Sequence, residues 1–132
     1  MPTWQARLRD ARGFREVANV AADPEHGNQA ASNAILGAIA ANDAICLYLR
    51  HPQPSGESHA EAVNALVEAC RGTRWEAQAA PKAQQLAAAL RLKTEAQYGS
   101  RRLKASEVAR LLRQAERFID WAEQVCAADT RT

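Results

Sequence analysis

Three groups of polar residues in this 132-residue chain have the types and spacing to do chemistry. The first is Asn42, Asp43 and Arg50. On a helical wheel they share a side with the apolar stripe Ile35, Leu36, Ile39, Cys46 and Leu47, in a helix expected over 29–50. A carboxylate on an apolar stripe is costly unless it is paired or hydrogen-bonded. Arg50 lies two turns on, too far for a simple intrahelical pair. His59, expected at the start of the next helix, can fold back beside Asp43. Two readings stand. One is a structural aspartate, satisfied by a cap, a histidine or a tyrosine hydroxyl. The other is a polar pocket of Asn42, Asp43, Arg50 and His59 that takes a nucleotide or a phosphate.

The second group is Lys93, Tyr98, Arg101 and Arg102. Three cations around an aromatic ring suit phosphate contact with base stacking. The alternative is a tyrosine packed on the last helix, with solvated arginines. The third group is Arg110, Arg113 and Arg117, a basic ridge opposite the apolar stripe of that last helix. It suits a phosphate backbone or an acidic partner, or it is a solvated face shared with Glu107 and Glu116. Trp4 and Trp75, near helix starts, read as anchors of the bundle.

Several standard chemistries are missing from the sequence. There is no Cys-x-x-Cys, no zinc-type Cys/His spacing and no Glu-x-x-His. There is no Gly-rich phosphate loop of either common kind. A Ser-His-Asp triad would need arbitrary choices, and the chain has three histidines, His26, His51 and His59. No metal and no cofactor are expected, and no standard catalytic motif marks an enzyme.

The elements that position these groups follow from composition. Alanine supplies 30 residues, Val and Ile together 10, and aromatics 5%. Such a chain is all-α, because sheets need β-branched and aromatic residues in quantity. Helices are expected over 3–20 and 29–50, with turn chemistry in Asp23-Pro24-Glu25-His26-Gly27-Asn28 between them. The breaker His51-Pro52-Gln53-Pro54-Ser55-Gly56 follows. Ser58 and Glu61 form a capping box for a third helix that Gly72 ends. Thr73 to Glu76 repeats the box and is a candidate start for a short helix. Pro81 fits the first turn of a fourth helix reaching residue 97. After Tyr98-Gly99-Ser100-Arg101-Arg102, the last helix runs over 105–128. Its core stripe is Val108, Leu111, Leu112, Ala115, Phe118, Ile119, Ala122, Val125 and Cys126. The expected architecture is an antiparallel four- to five-helix bundle in one domain over 1–132, with its core at about 29–128. Alanine leaves little apolar area per residue, which a homodimer would offset.

Net charge is +2, but it is segregated. Residues 16–70 hold seven acids and one base, whereas 91–117 hold eight bases and three acids. The asymmetry allows a basic surface on the C-terminal part. Cys46, Cys70 and Cys126 are odd in number and far apart, as buried free thiols are. The longest apolar run, 34–49, is interrupted by Asn42 and Asp43, and the first residues lack a signal-peptide pattern. A cytoplasmic protein without membrane attachment is expected.

The segments Lys93-Thr94-Glu95-Ala96-Gln97-Tyr98 and Ala105-Ser106-Glu107-Val108-Ala109-Arg110-Leu111-Leu112-Arg113-Gln114-Ala115-Glu116-Arg117-Phe118-Ile119 resemble the last two helices of HEPN (higher eukaryotes and prokaryotes nucleotide-binding) domains. Those show a basic residue, then Ala and Tyr, a break, and a helix with Ala-Glu-x-Phe. The stretch from Ser32 to Cys46 resembles an early core helix of stand-alone bacterial members, and Gly56 and His59 stand where those carry a Gly and then a His. The resemblance covers about 30–126. It implies a four-helix bundle, usually homodimeric, that binds nucleotide, RNA or a protein partner in a toxin–antitoxin or defence-type setting. Catalytic members are metal-independent ribonucleases with Arg, four to six residues, then His. No arginine here precedes a histidine at that spacing. A relaxed Arg50/His59 site, with His59 as general acid or base and Arg50 on the phosphate, is one alternative. A purely structural or protein-interaction module is the other.

Overall fold

The computed structural model describes residues 3–23, 25–54, 58–99 and 101–127. Among the described residues every regular element is helical. Five long helices, α1 (Trp4–Val20), α2 (Gly27–Tyr48), α3 (His59–Cys70), α4 (Glu76–Leu90) and α6 (Ala105–Ala127), form a helical bundle with the six-residue α5 (Lys93–Tyr98). Pro24, Ser55, Gly56, Ser100 and Ala128 lie outside the described residues.

Local chemistry sets the ends. The Thr3 hydroxyl accepts from the Ala6 amide at the start of α1, and Ser58 Oγ accepts from the Glu61 amide at the start of α3. The second capping motif is shifted from its expected form. Thr73 Oγ1 accepts from the Trp75 amide and donates to the Cys70 carbonyl, while the Glu76 carboxylate accepts from the Gly72 amide. Helix α4 therefore starts at Glu76, and Pro81 sits inside it rather than in its first turn. The helix also stops early. A break at Arg91 and Leu92 separates α4 from α5, where one helix through residue 97 was expected.

Helix α2 occupies the centre and touches each of the other five. Its expected one-sided stripe is corrected: Ala30, Ala31, Ala34, Ala38, Ala40, Ala41 and Ala44 are as buried as Ile35 and Ile45. Alanine and Gly37 let neighbours close on it from all sides. A Cβ on Gly37 would stand 3.1 Å from Ile119 Cδ1 and 3.4 Å from the Ala11 carbonyl oxygen. By length and composition α2 also resembles a membrane-crossing helix, but 72% of that apolar window is buried among the other helices.

Helix α1 runs antiparallel to α2, since Arg7 meets Asp43 at one end and Ala11 and Phe14 meet Gly37 further along. It is antiparallel to α6 as well, through Arg12–Glu123 and Arg15–Asp120. Helices α2 and α6 are parallel: the Gly27 position faces Val108 and the Gly37 position faces Ile119. The bundle is thus not antiparallel throughout.

The α6 stripe is buried as expected apart from Leu112, which is half-buried, and Trp121 joins it. Trp121 meets Trp75 edge-on at 6.2 Å, and its Nε1 donates to Gln78 Oε1 at 2.6 Å. Trp4 packs edge-on against Tyr48 at 5.1 Å.

Candidate functional site

The central helix carries two buried polar residues, Asn42 (1% exposed) and Asp43 (6%). They face a cavity of about 170 Å³ whose walls also include Ile39, Gln53, His59, Leu86, Leu90 and Lys93. Ser58 and His59, both exposed, mark its mouth. Helix α2 supplies the polar floor and the capped start of α3 supplies His59. The α4–α5 break turns Lys93 inward from the first position of α5.

Asp43 has a partner that the sequence did not indicate. Arg7, on α1, donates to its Oδ2 from Nε at 3.1 Å and from Nη2 at 2.9 Å. Nη1 of the same guanidinium holds Asp10 at 2.7 Å. Burial raises the Asp43 carboxyl above the ordinary aspartate value, and Arg7 opposes that rise.

Asn42 is only half satisfied. Its Nδ2 donates to the Ala62 carbonyl at 3.1 Å, which fixes the direction of the amide. Its Oδ1 is buried without a donor, and so is Gln53 Oε1. An unmet buried acceptor costs roughly 1–3 kcal/mol. Two of them, Asn42 Oδ1 and Gln53 Oε1, belong to residues of the same cavity wall, but the oxygens themselves are closed off from it.

Of the first candidate group, the cavity gathers Asn42, Asp43 and His59 but not Arg50. Helix α2 ends at Tyr48, and Arg50 lies beyond it, exposed and left-handed at φ 61°. The Arg50 amide donates to Leu47 O and the His51 amide to Cys46 O, the two bonds of a Schellman ending. The expectation that Arg50 shares a face of the helix with Asp43 is corrected: it terminates that helix.

The second group divides. Lys93 lines the cavity, at the opposite end of α5 from Tyr98. Tyr98 is 77% exposed, so it does not pack on the last helix. Arg101 donates to both carboxylate oxygens of Glu107, at 2.9 and 2.8 Å, and that contact pulls the Glu107 carboxyl down to about 2. Arg102 lines an apolar groove of about 570 Å³ between the α1–α2 turn and α6. The ridge residues are exposed, but they face two ways. Arg113 borders that apolar groove, while Arg110 borders a groove between α4 and α6.

Among the described residues no cluster of three or more His, Cys, Asp or Glu side chains could hold a metal. The chain matches no family model and no curated protein sequence.

Asn28 is a structural residue that sequence reasoning missed. Its Nδ2 donates to the carbonyls of Glu95 and Arg101, and its Oδ1 accepts from the Leu103 amide. It pins the α5–α6 connection to the start of α2. Its place in an Asn-containing turn disguised this role.

Proposed function

We propose that this chain is a HEPN-like helical protein that binds a nucleotide or RNA through the Asn42–Asp43–His59–Lys93 cavity, acting as a homodimer. The observation that carries the reading is a cavity of about 170 Å³ on whose wall the buried Asn42 and Asp43 come together with His59 and Lys93. An engineered cavity of about 150 Å³ holds benzene, so about 170 Å³ has room for a small ring of at most pyrimidine size, with sugar and phosphate outside. Lys93 supplies a cation on the cavity wall. The toxin–antitoxin or defence-type setting rests on the resemblance of 30–126 alone. No catalytic role is assigned to Arg50 or His59, because Arg50 lies outside the cavity that His59 lines.

The test is a thermal-shift series with nucleotides and a short single-stranded RNA, repeated at two salt concentrations. Binding raises Tm, by mass action on the folded state, and RNA affinity falls as salt rises. Lys93→Gln weakens both. A flat Tm with every nucleotide, and no salt-dependent RNA binding, removes the reading.

A second reading has an observation of its own. The apolar groove lined by Leu103, Val108 and Leu112, with Arg102 and Arg113 on it, suits an amphipathic acidic segment of a protein partner. It gains if nucleotides and RNA fail while Leu112→Glu abolishes capture of such a partner.

A further inference from the structure

We propose that the face between α4 and α6 tracks the phosphate backbone of an RNA strand, through cations that lie apart from the cavity. The ligand class rests on the reading above; the residues do not. The two helices run antiparallel on this face. Trp121 meets Gln78 at one end, and Arg91 shares a groove of about 430 Å³ with Arg110 at the other. Five cations stand along it. Arg74 lies over the Trp75 ring at 4.8 Å and Lys82 over the Trp121 ring at 5.9 Å, so each of these edge-on tryptophans holds a cation in place. Arg117 is near enough to Lys82 that its like charge, after burial, lowers the Lys82 pKa. Arg110 lies two helical turns from Arg117 on the same line of α6, about 10 Å away. Arg113 faces the other groove and is not part of the strip.

These charges are not balanced within the chain. Among the described residues none of Arg74, Lys82, Arg91, Arg110 and Arg117 forms an ion pair. The acids nearby are engaged elsewhere: Glu76 by the Gly72 amide, Glu107 by Arg101 and Asp120 by Arg15. A second copy offers no acidic patch in return, since Asp43 is held by Arg7, Asp23 by His26 and Glu68 by Arg71. The rest of the face is polar. Gln78, Gln85 and Gln114 stand between the cations, while the exposed Val17, Val20 and Tyr98 belong to α1 and α5. A protein partner needs a large apolar anchor seated in a pocket. A phosphate backbone needs only cations and neutral donors, which Arg, Lys and Gln supply. Both tryptophans are buried, so neither offers an open ring for a base, and the contact is blind to sequence.

The experiment is fluorescence anisotropy of the full chain with a labelled single-stranded RNA of about twelve nucleotides, across a salt series. Log affinity falls against log salt by about 0.7 for each neutralised phosphate of a single strand. Arg110→Gln/Arg117→Gln is expected to make that slope shallower by about 1.4 and to weaken binding by about tenfold at low salt. Arg74→Gln/Arg91→Gln, on the α4 side, reads the same change should the first variant not fold. Arg9→Gln/Arg50→Gly removes as much charge from exposed positions elsewhere and keeps the parent slope. An oligoglutamate of matched charge displaces the RNA less well than unlabelled RNA does. An unchanged slope in both strip variants overturns the inference. So does an equal change in the control pair, equal displacement by oligoglutamate, or RNA that does not bind. The cavity is read separately, by the Tm shift with free nucleotides, which the strip variants leave as in the parent. A strip-dependent slope without a nucleotide shift sinks the cavity reading and upholds this one. A nucleotide shift without RNA binding does the reverse.

Discussion

Nε and Nη2 of Arg7 converge on a single oxygen, Oδ2 of Asp43, and so tie the first turn of α1 to the last turns of α2. Removing the guanidinium leaves a buried carboxylate unpaired. Arg7→Met is expected to lower unfolding free energy by about 2–3 kcal/mol, below the range for a fully buried pair because Arg7 is partly exposed. Urea denaturation measures it, and a loss under about 0.5 kcal/mol would show that the pair contributes little.

The same carboxylate makes a pH prediction. Its pKa is raised in the folded state by burial. The folded chain therefore holds this proton more tightly than the unfolded chain. The group's contribution is most favourable below the ordinary value of 3.8 and is lost as pH rises through the raised one. Arg7 limits the rise, so Arg7→Met raises it further. The stability gap between Arg7→Met and the parent should narrow as pH falls from 7 toward 4, and Asp43→Asn should abolish that narrowing. A gap independent of pH contradicts the assignment.

Two glycines separate space from helix propensity. Gly13, in α1, has nothing within 4 Å of a built Cβ, so Gly13→Ala should stabilise by about 0.5–1 kcal/mol. Gly37→Ala gains the same propensity but presses at 3.1 Å on Ile119 Cδ1, a fully buried side chain. It should destabilise by about 1 kcal/mol or more. Opposite shifts in Cm, up for Gly13→Ala and down for Gly37→Ala, without a change in m, are the signature sought.

Arg50 holds a left-handed conformation that usually falls to glycine. Arg50→Gly should therefore stabilise by about 0.5–1 kcal/mol, with Tm up by a few degrees. Nucleotide binding in this variant should equal the parent's, because Arg50 does not line the cavity. Weakened binding would restore Arg50 to the site.

The thiols should report unfolding. Burial pushes Cys46 and Cys126 up to about 12 and Cys70 to about 11. Iodoacetamide at neutral pH should modify the folded chain slowly, and all three thiols rapidly once urea unfolds it. A fast-reacting cysteine in the native protein would contradict this packing.

What could be read in the residues depended on how far each signal reached. The α6 stripe was legible because Leu, Phe, Ile and Val alternate with Arg and Glu at helical spacing, a local and strong contrast. In α2, alanine lines every face and carries no such contrast, so its central position showed only in contacts with α1 and α6. Asp43 announced that it needed a partner, but nothing local points 36 residues back to Arg7. Pro81 drew the predicted start of α4 too far along, since a proline in a helix interior forgoes a hydrogen bond and is normally avoided. The cavity was half legible: Asn42, Asp43 and His59, grouped from the sequence, line one wall, whereas Lys93 reaches it through a helix break that no sequence rule marked.

The parallel pairing of α2 with α6 sets an order of events during synthesis. Val108 and Ile119, which cover Gly27 and Gly37, are made about 80 residues later. At typical elongation rates the most apolar helix waits roughly 4–16 s on the ribosome with one flank bare. Only α1, already made, shields it at once. A nascent chain of this protein is thus most exposed to aggregation, and most in need of a chaperone, before its final helix emerges.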